Sequence, residues 1–167
     1  LSEMDPAQIG WKNYDVDVVL ECTGAFTDNK AAAHIKAGAK KVIISAPAKD
    51  PKIPTYILGV NDKNYKGETL ISNGSCTTNC VALIVKLIDK KIGFEEGTLT
   101  TIHAYTTNQN IVDGNGKDPR RARAAAINIV PTTTGAAEAV IAAYPEAEGR
   151  FGGTAIRVPV VCGSYSD

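Results

Sequence analysis

Val16-Asp17-Val18-Val19-Leu20-Glu21-Cys22-Thr23-Gly24 is a largely apolar, β-branched run that ends in a small-residue turn, and it sets the fold class. Such a run predicts a strand over residues 16–21, buried on both faces of a parallel sheet and feeding a tight loop. A helix is expected next. Asp28 or Asn29 can cap it, Ala31, Ala32, Ala33 and Ile35 favour it, and Gly38 ends it. Residues 41–45 (KVIIS) then read as a second strand, which completes a βαβ unit of an α/β protein.

Downstream, Pro47, Pro51 and Pro54 interrupt regular structure before short strands expected at residues 56–59 and 70–72. Val81, Ile84, Val85, Ile88 and Ile92 then recur at helical spacing, and Gly93 closes the pattern. A helix is therefore expected to begin at Ser75-Cys76-Thr77-Thr78 and to bury that face. Residues 97–105 are β-like, and a long polar loop follows with Gly114, Gly116 and Pro119. Thr132-Thr133-Thr134-Gly135 opens an alanine-rich helix, and a last strand is expected over residues 153–160 with Arg157 buried inside it.

Composition narrows the function classes. The chain has 167 residues, 44% of them hydrophobic, with 18 basic and 18 acidic side chains, so it reads as globular rather than disordered. Zero net charge argues against broad attraction to nucleic acid or an anionic membrane. The basic cluster Lys117, Arg120, Arg121 and Arg123 lacks the interleaved aromatic residues of a nucleic-acid surface. Cys22, Cys76, Cys80 and Cys162 form no Cys-x-x-Cys pair and only two histidines are present, so neither a metal site nor a disulfide framework is expected. A reducing, cytoplasmic setting fits that cysteine usage. The longest strongly apolar helical stretch, residues 81–88, is broken by Lys86 and is short of the roughly 20 residues a bilayer span requires. The opening Leu1-Ser2-Glu3-Met4-Asp5 has neither a basic nor an apolar leader pattern and reads as a cut end.

Cys76 carries the chemistry. In the first turn of a helix it meets the positive end of the macrodipole and unpaired N–H groups, both of which favour thiolate over thiol. The alternative is a buried cysteine that packs as a small hydrophobe. Ser75, Thr77, Thr78 and Asn79 are too polar for that, whereas Cys80, beside the apolar face, fits the packing role. His103 lies on the strand expected after the helix, which can return it to the same end of the sheet. It is either a satisfied core residue or a base paired with the thiol.

Ser72-Asn73-Gly74-Ser75-Cys76-Thr77-Thr78-Asn79-Cys80 resembles the active-site signature of the glyceraldehyde-3-phosphate dehydrogenase family. The resemblance continues through residues 41–48 (KVIISAPA), His103-Ala104-Tyr105-Thr106, residues 120–126 (RRARAAA), residues 131–137 (PTTTGAA) and Arg157-Val158-Pro159, and covers essentially the whole chain. It implies that Cys76 adds to an aldehyde, that hydride passes to a nicotinamide from the resulting thiohemiacetal, and that phosphate releases the thioester as an acyl phosphate. His103 would take the hydroxyl proton. A soft thiolate is suited to the first step, and a thioester keeps the acyl group activated for the last. The Cys76 N–H is a candidate oxyanion donor.

Further assignments come from the same resemblance. Arg157 and Thr106 match positions on the substrate phosphate, and Ser75, Thr77, Arg121, Thr134 and Gly135 match positions around inorganic phosphate. Residue chemistry agrees, since a helix start binds phosphate and a buried arginine requires an anionic partner, for which a structural carboxylate is the alternative. Thr23, Gly24, Phe26 and Ser45 are the implied dinucleotide contacts, at the ends of consecutive strands. The cofactor that the resemblance implies is NAD, with NADP left open, because Gly114-Asn115 stands where NAD-using members often carry Leu-Pro. Asn110 replaces a frequent arginine, and Gly74 replaces the usual alanine, which predicts a looser turn.

No G-x-G-x-x-G occurs. The chain therefore reads as an internal segment: residues 1–74 as the second half of a Rossmann-type doubly wound dinucleotide domain, and residues 75–167 as the first part of an α+β catalytic domain. As a separate molecule it is expected to turn over little or nothing. The parent is expected to be a soluble homotetramer acting on glyceraldehyde 3-phosphate and inorganic phosphate, because residues 105–125 resemble the family's subunit-contact loop. Its rivals are an erythrose-4-phosphate dehydrogenase, a cysteine hydrolase using Cys76 and His103, and an RNA-binding or scaffold module.

Overall fold

The structure, a computed structural model, describes residues 2–167; Leu1, at the start of the expected dinucleotide half, lies outside the described residues. The chain forms two compact units. One takes the residues up to Gly93 together with Glu138–Ala147, and the other takes Phe94–Ala137 with Glu148–Asp167. By packing, the helix that follows Ser75 belongs to the first unit, whereas the sequence reading joined it to the catalytic half by family correspondence.

In the first unit β1 (Val18–Glu21), β2 (Lys41–Ile44) and β3 (Leu70–Ser72) make a parallel sheet in that order. Glu21, Ile44 and Ser72 are aligned across it, so the three strands finish at one edge. Asp28 is the cap that starts the crossover. Its Oδ1 accepts from the Lys30 N–H at 2.8 Å, a 3-10 turn runs Asn29–Ala32, and α1 (Ala33–Lys36) completes it. Gly38 then takes φ 110°, where a Cβ would stand 2.6 Å from Lys12 Cβ and 2.7 Å from its nitrogen, so only glycine closes this turn.

Val19, Ala31, Ala39, Val42, Ile44 and Ile53 form the core of that βαβ unit. Contrary to expectation, β1 buries one face only. Val19 and Glu21 are 7% and 3% exposed, but Val18 and Leu20 are 45% and 64% exposed. A continuous apolar run is compatible with a covered or an open second face, and the crossover covers one. The strand expected at residues 56–59 is a turn, with only Thr55 bridging to Ser72. Side chains of the following residues capture its backbone: Asn61 Oδ1 accepts from Ile57 N–H and Asp62 Oδ1 from Gly59 N–H, each at 2.8 Å.

The helix expected after Ser75 is α2 (Cys76–Lys91), and Ile92 and Gly93 N–H groups both donate to Ile88 O beyond its end. Its buried residues are Thr77, Thr78, Val81, Ala82 and Val85, while Ile84, Ile88 and Ile92 of the expected face are exposed. Residues 81–88 are apolar almost all round, so periodicity does not select the side that packs. Cys80 is exposed as well, which overturns its assignment to packing.

The second unit holds a mixed sheet of β4 (Gly97–Ala104), β5 (Val130–Thr132), β6 (Phe151–Val158) and β7 (Ser164–Ser166), ordered β5-β6-β4-β7. β4 and β6 are parallel, and the two outer strands pair antiparallel. Neither outer strand was expected, so the strand carrying Arg157 is not the last. Arg157 is half-buried and next to last in β6 rather than buried mid-strand. α3 (Ala136–Ala143) begins after Thr134-Gly135, as expected. A parallel βαβ sheet and a mixed sheet together give the α/β and α+β combination read from the sequence.

Candidate active site

Three turns meet the carboxyl edge of the first sheet. After β3, Ser72 is fully buried: its hydroxyl donates to Ala46 O at 2.8 Å and accepts from the Gly74 N–H at 3.0 Å. Gly74 is left-handed at φ 66°, and a Cβ there would lie 2.9 Å from Thr78 Cγ2. Glycine tightens this turn instead of loosening it, a correction to the expectation. Asn79 Nδ2 braces the same turn by donating to Asn73 O and Ser75 O at 2.7 and 2.9 Å.

Ser75 is the N-cap of α2, its hydroxyl accepting from the Thr78 N–H at 3.1 Å, and this fixes Cys76 as the first residue of a 16-residue helix. Cys76 is exposed. There is no acidic residue in the first turn, while Lys90 and Lys91 occupy the last, so nothing in the helix opposes an anion at its start. Thr77 is buried behind it.

The other two turns follow β1 and β2. Thr23 and Gly24 are exposed, with Gly24 at φ 74° and, among the described residues, nothing beyond its chain neighbours within 4 Å of where a Cβ would stand. Ser45 donates to Glu21 O from both its N–H, at 3.0 Å, and its hydroxyl, at 3.2 Å, which ties the second turn to the first strand. Phe26 is half-buried against the core.

In the second unit His103 and Arg157 are register partners on β4 and β6. Arg157 Nη1 lies 2.8 Å from both His103 Nδ1 and Ala104 O, and Nδ1 is 2.7 Å from the same carbonyl. The guanidinium can only donate, so Nδ1 accepts from Arg157 in the tautomer with its proton on Nε2 and donates to the Ala104 carbonyl in the one with its proton on Nδ1; the second leaves Nε2 as the acceptor that a base requires. The Thr106 hydroxyl, just beyond β4, is buried and has no hydrogen-bond partner among the described residues. Arg121 donates from Nε to Thr132 Oγ1 at 2.8 Å and from Nη2 to Thr133 O at 3.1 Å, beside Thr134-Gly135. Thr134 Oγ1 accepts from the Ala136 N–H at 3.1 Å and so starts α3. Arg120 and Arg121 pair with Asp118, and Arg123 with Asp113, so the basic cluster is offset by carboxylates of its own loop. No group of three or more potential metal ligands occurs among the described residues. None of their helices is long and apolar enough to cross a membrane.

Residues 75–167, more than half of the chain, match the family model described as "Glyceraldehyde 3-phosphate dehydrogenase, C-terminal domain". The chain belongs to the glyceraldehyde-3-phosphate dehydrogenase family. Among its relatives, the chloroplastic glyceraldehyde-3-phosphate dehydrogenase A of Chlamydomonas reinhardtii is 52% identical over the whole chain and 45% of its own length. That of Scenedesmus vacuolatus is 52% identical over 95% of the chain and 51% of its own length. The glyceraldehyde-3-phosphate dehydrogenase of Mycobacterium bovis is 56% identical over 97% of the chain and 48% of its own length. The chain thus spans about half the length of the curated relatives it matches.

Membership in the glyceraldehyde-3-phosphate dehydrogenase family did not point to three residues that support the Thr23 turn. Glu21 and His34 are buried and paired at 2.9 Å, and Trp11 joins them through its indole nitrogen. Two signals were present in the sequence: a glutamate ending an apolar strand, and a histidine among the alanines of the crossover.

Proposed function

We propose that the protein carrying this chain is a phosphorylating aldehyde dehydrogenase that converts glyceraldehyde 3-phosphate, inorganic phosphate and NAD or NADP to 1,3-bisphosphoglycerate, with Cys76 as nucleophile and His103 as base. The observation that carries this reading is an exposed cysteine held as the first residue of a capped helix. The Cys76 thiolate adds to the aldehyde carbon, and the helix-start N–H of Cys76 faces the developing oxyanion. His103, as imidazolium, protonates that oxyanion to give the thiohemiacetal and takes the hydroxyl proton back as hydride leaves the same carbon. A nicotinamide dinucleotide, when bound, accepts that hydride. A phosphate oxygen then attacks the thioester carbonyl, the carbon–sulfur bond breaks, and the acyl phosphate leaves as the thiolate re-forms.

Thr23, Gly24, Phe26 and Ser45 are the residues that would hold the dinucleotide, and the open carboxyl edge of a parallel sheet suits it. Arg157 and the unpartnered Thr106 hydroxyl are assigned to the substrate phosphate. Ser75, Thr77, Arg121, Thr134 and Gly135 are assigned to inorganic phosphate, with α3 supplying helix-start N–H groups. Residues 1–74 are read as part of the dinucleotide domain and residues 75–167 as part of the catalytic domain. A homotetramer is proposed through residues 105–125, which expose Ile111 and Val112, and a cytoplasmic setting is proposed from the four cysteines, none of which is in a disulfide among the described residues.

The test uses the full-length protein that contains this segment. Acyl phosphate, trapped with hydroxylamine, should form only when phosphate and cofactor are both supplied, and glyceraldehyde 3-phosphate should outperform erythrose 4-phosphate. Hydrolysis of an acyl ester to its free acid with neither addition, together with no acyl phosphate from the aldehyde when both are supplied, would identify a cysteine hydrolase and overturn the reading.

A further inference from the structure

We propose that Trp11, His34 and Glu21 form a hydrogen-bond chain of fixed direction that positions the Thr23–Gly24 turn for the dinucleotide, an inference that rests on the reading of this turn as a cofactor contact. An indole N–H can only donate. Trp11 Nε1 lies 3.0 Å from His34 Nδ1, so Nδ1 accepts and the neutral imidazole carries its proton on Nε2. That proton is donated to Glu21 Oε2 at 2.9 Å. The other carboxylate oxygen, Oε1, accepts from the Thr23 N–H at 2.8 Å and from the Thr23 hydroxyl. Thr23 Oγ1 in turn accepts from the Ala25 N–H at 3.1 Å.

Each link has one permitted direction, from the indole to the carboxylate and from the turn to the carboxylate. The Thr23 hydroxyl proton is committed to Glu21, so Thr23 presents its remaining lone pair outward as an acceptor. His34 and Glu21 are 5% and 3% exposed, so a reversed link has no water to relieve it. Phe26, another expected cofactor contact, packs edge-on to His34 with ring centroids 6.4 Å apart. Burial pushes the Glu21 carboxyl up, and the hydrogen bonds from Thr23 and His34 outweigh it, so the carboxyl sits below its ordinary value. All three residues act through the turn and are positioning residues.

The direction of the chain makes a double-mutant test specific. In Glu21→Gln the amide oxygen can still accept from Thr23, but its NH2 then faces the His34 Nε2 proton. Moving that proton to Nδ1 relocates the conflict to Trp11. With Trp11→Phe that second donor is absent and Nδ1 can carry the proton without facing another donor. In the full-length protein, Glu21→Gln should raise the cofactor KM about 10-fold with kcat within about 2-fold. In a Trp11→Phe background the same change should raise it less than about 3-fold.

Equal penalties in the two backgrounds, or none, would overturn the chain while leaving the cofactor turn standing. If Thr23→Val and Gly24→Val leave the cofactor KM unaltered, the turn itself is not a contact and the parent reading fails instead. Should Glu21→Gln not fold, solid-state NMR of the unmutated protein labelled with 15N-histidine decides. A His34 with its proton on Nε2 supports the chain, and one with its proton on Nδ1 sinks it.

Discussion

Arg157 Nη1 sits 2.8 Å from His103 Nδ1 across two parallel strands in which the two residues are direct register partners. The proposed base and the proposed anchor of the substrate phosphate are therefore placed by one ladder. A slip of one residue would turn either side chain to the other face of the sheet.

The assignment of Arg157 to the substrate phosphate predicts a substrate-selective defect. Arg157→Leu removes charged hydrogen bonds of about 1.5–3 kcal/mol, so the KM for glyceraldehyde 3-phosphate should rise about 10- to 150-fold. Unphosphorylated glyceraldehyde should show a much smaller change. Steady-state kinetics on both aldehydes checks this, and equal losses on the two would remove Arg157 from the phosphate site.

Cys76→Ser should abolish hydride transfer, with a fall of roughly 10⁴-fold or more, because a serine hydroxyl at a helix start remains protonated. Stability should hold to within about 0.5 kcal/mol, because the side chain is exposed. Stopped-flow absorbance and chemical denaturation separate these outcomes. Turnover surviving in the serine variant would move the nucleophile elsewhere.

The parts of this site legible in the sequence were local. The helix start at Ser75-Cys76-Thr77-Thr78, with Cys76 in its first turn, follows from residue type and period, and so do β1, β2 and β4. What was not legible depends on partners distant in the chain. β5 contains Pro131 and is only three residues long, and it exists because β6 offers it an antiparallel edge. β7 is equally short and is held by β4. At residues 56–59 the strand-like pattern lost to Asn61 and Asp62, whose side chains took the backbone donors. The role of Glu21 was not legible because its partner His34 lies 13 residues on in the crossover.

The turn before Cys76 gives a stability prediction. Gly74→Ala would place a methyl 2.9 Å from Thr78 Cγ2 in a left-handed backbone, and should cost about 1–3 kcal/mol. Ser75→Ala removes the cap and should cost about 1 kcal/mol. Urea midpoints with unaltered slopes would report both. A Gly74→Ala protein as stable as the unmutated one would mean that this turn is not held as described.

Acid sensitivity follows from Glu21. Its folded carboxyl lies below the ordinary value of 4.5, because hydrogen bonds from Thr23 and His34 outweigh the opposing effect of burial. The ionised group therefore contributes stability that is fully present above pH 4.5 and is lost as pH falls through the lower folded value. Glu21→Gln abolishes that titration, so the unmutated protein should lose its stability advantage over the variant as pH drops below 4.5, and the two should converge. Melting temperatures recorded from neutral pH downward provide the check. Parallel curves for the two proteins across that range would show that the buried carboxylate is not held in its ionised form by Thr23 and His34.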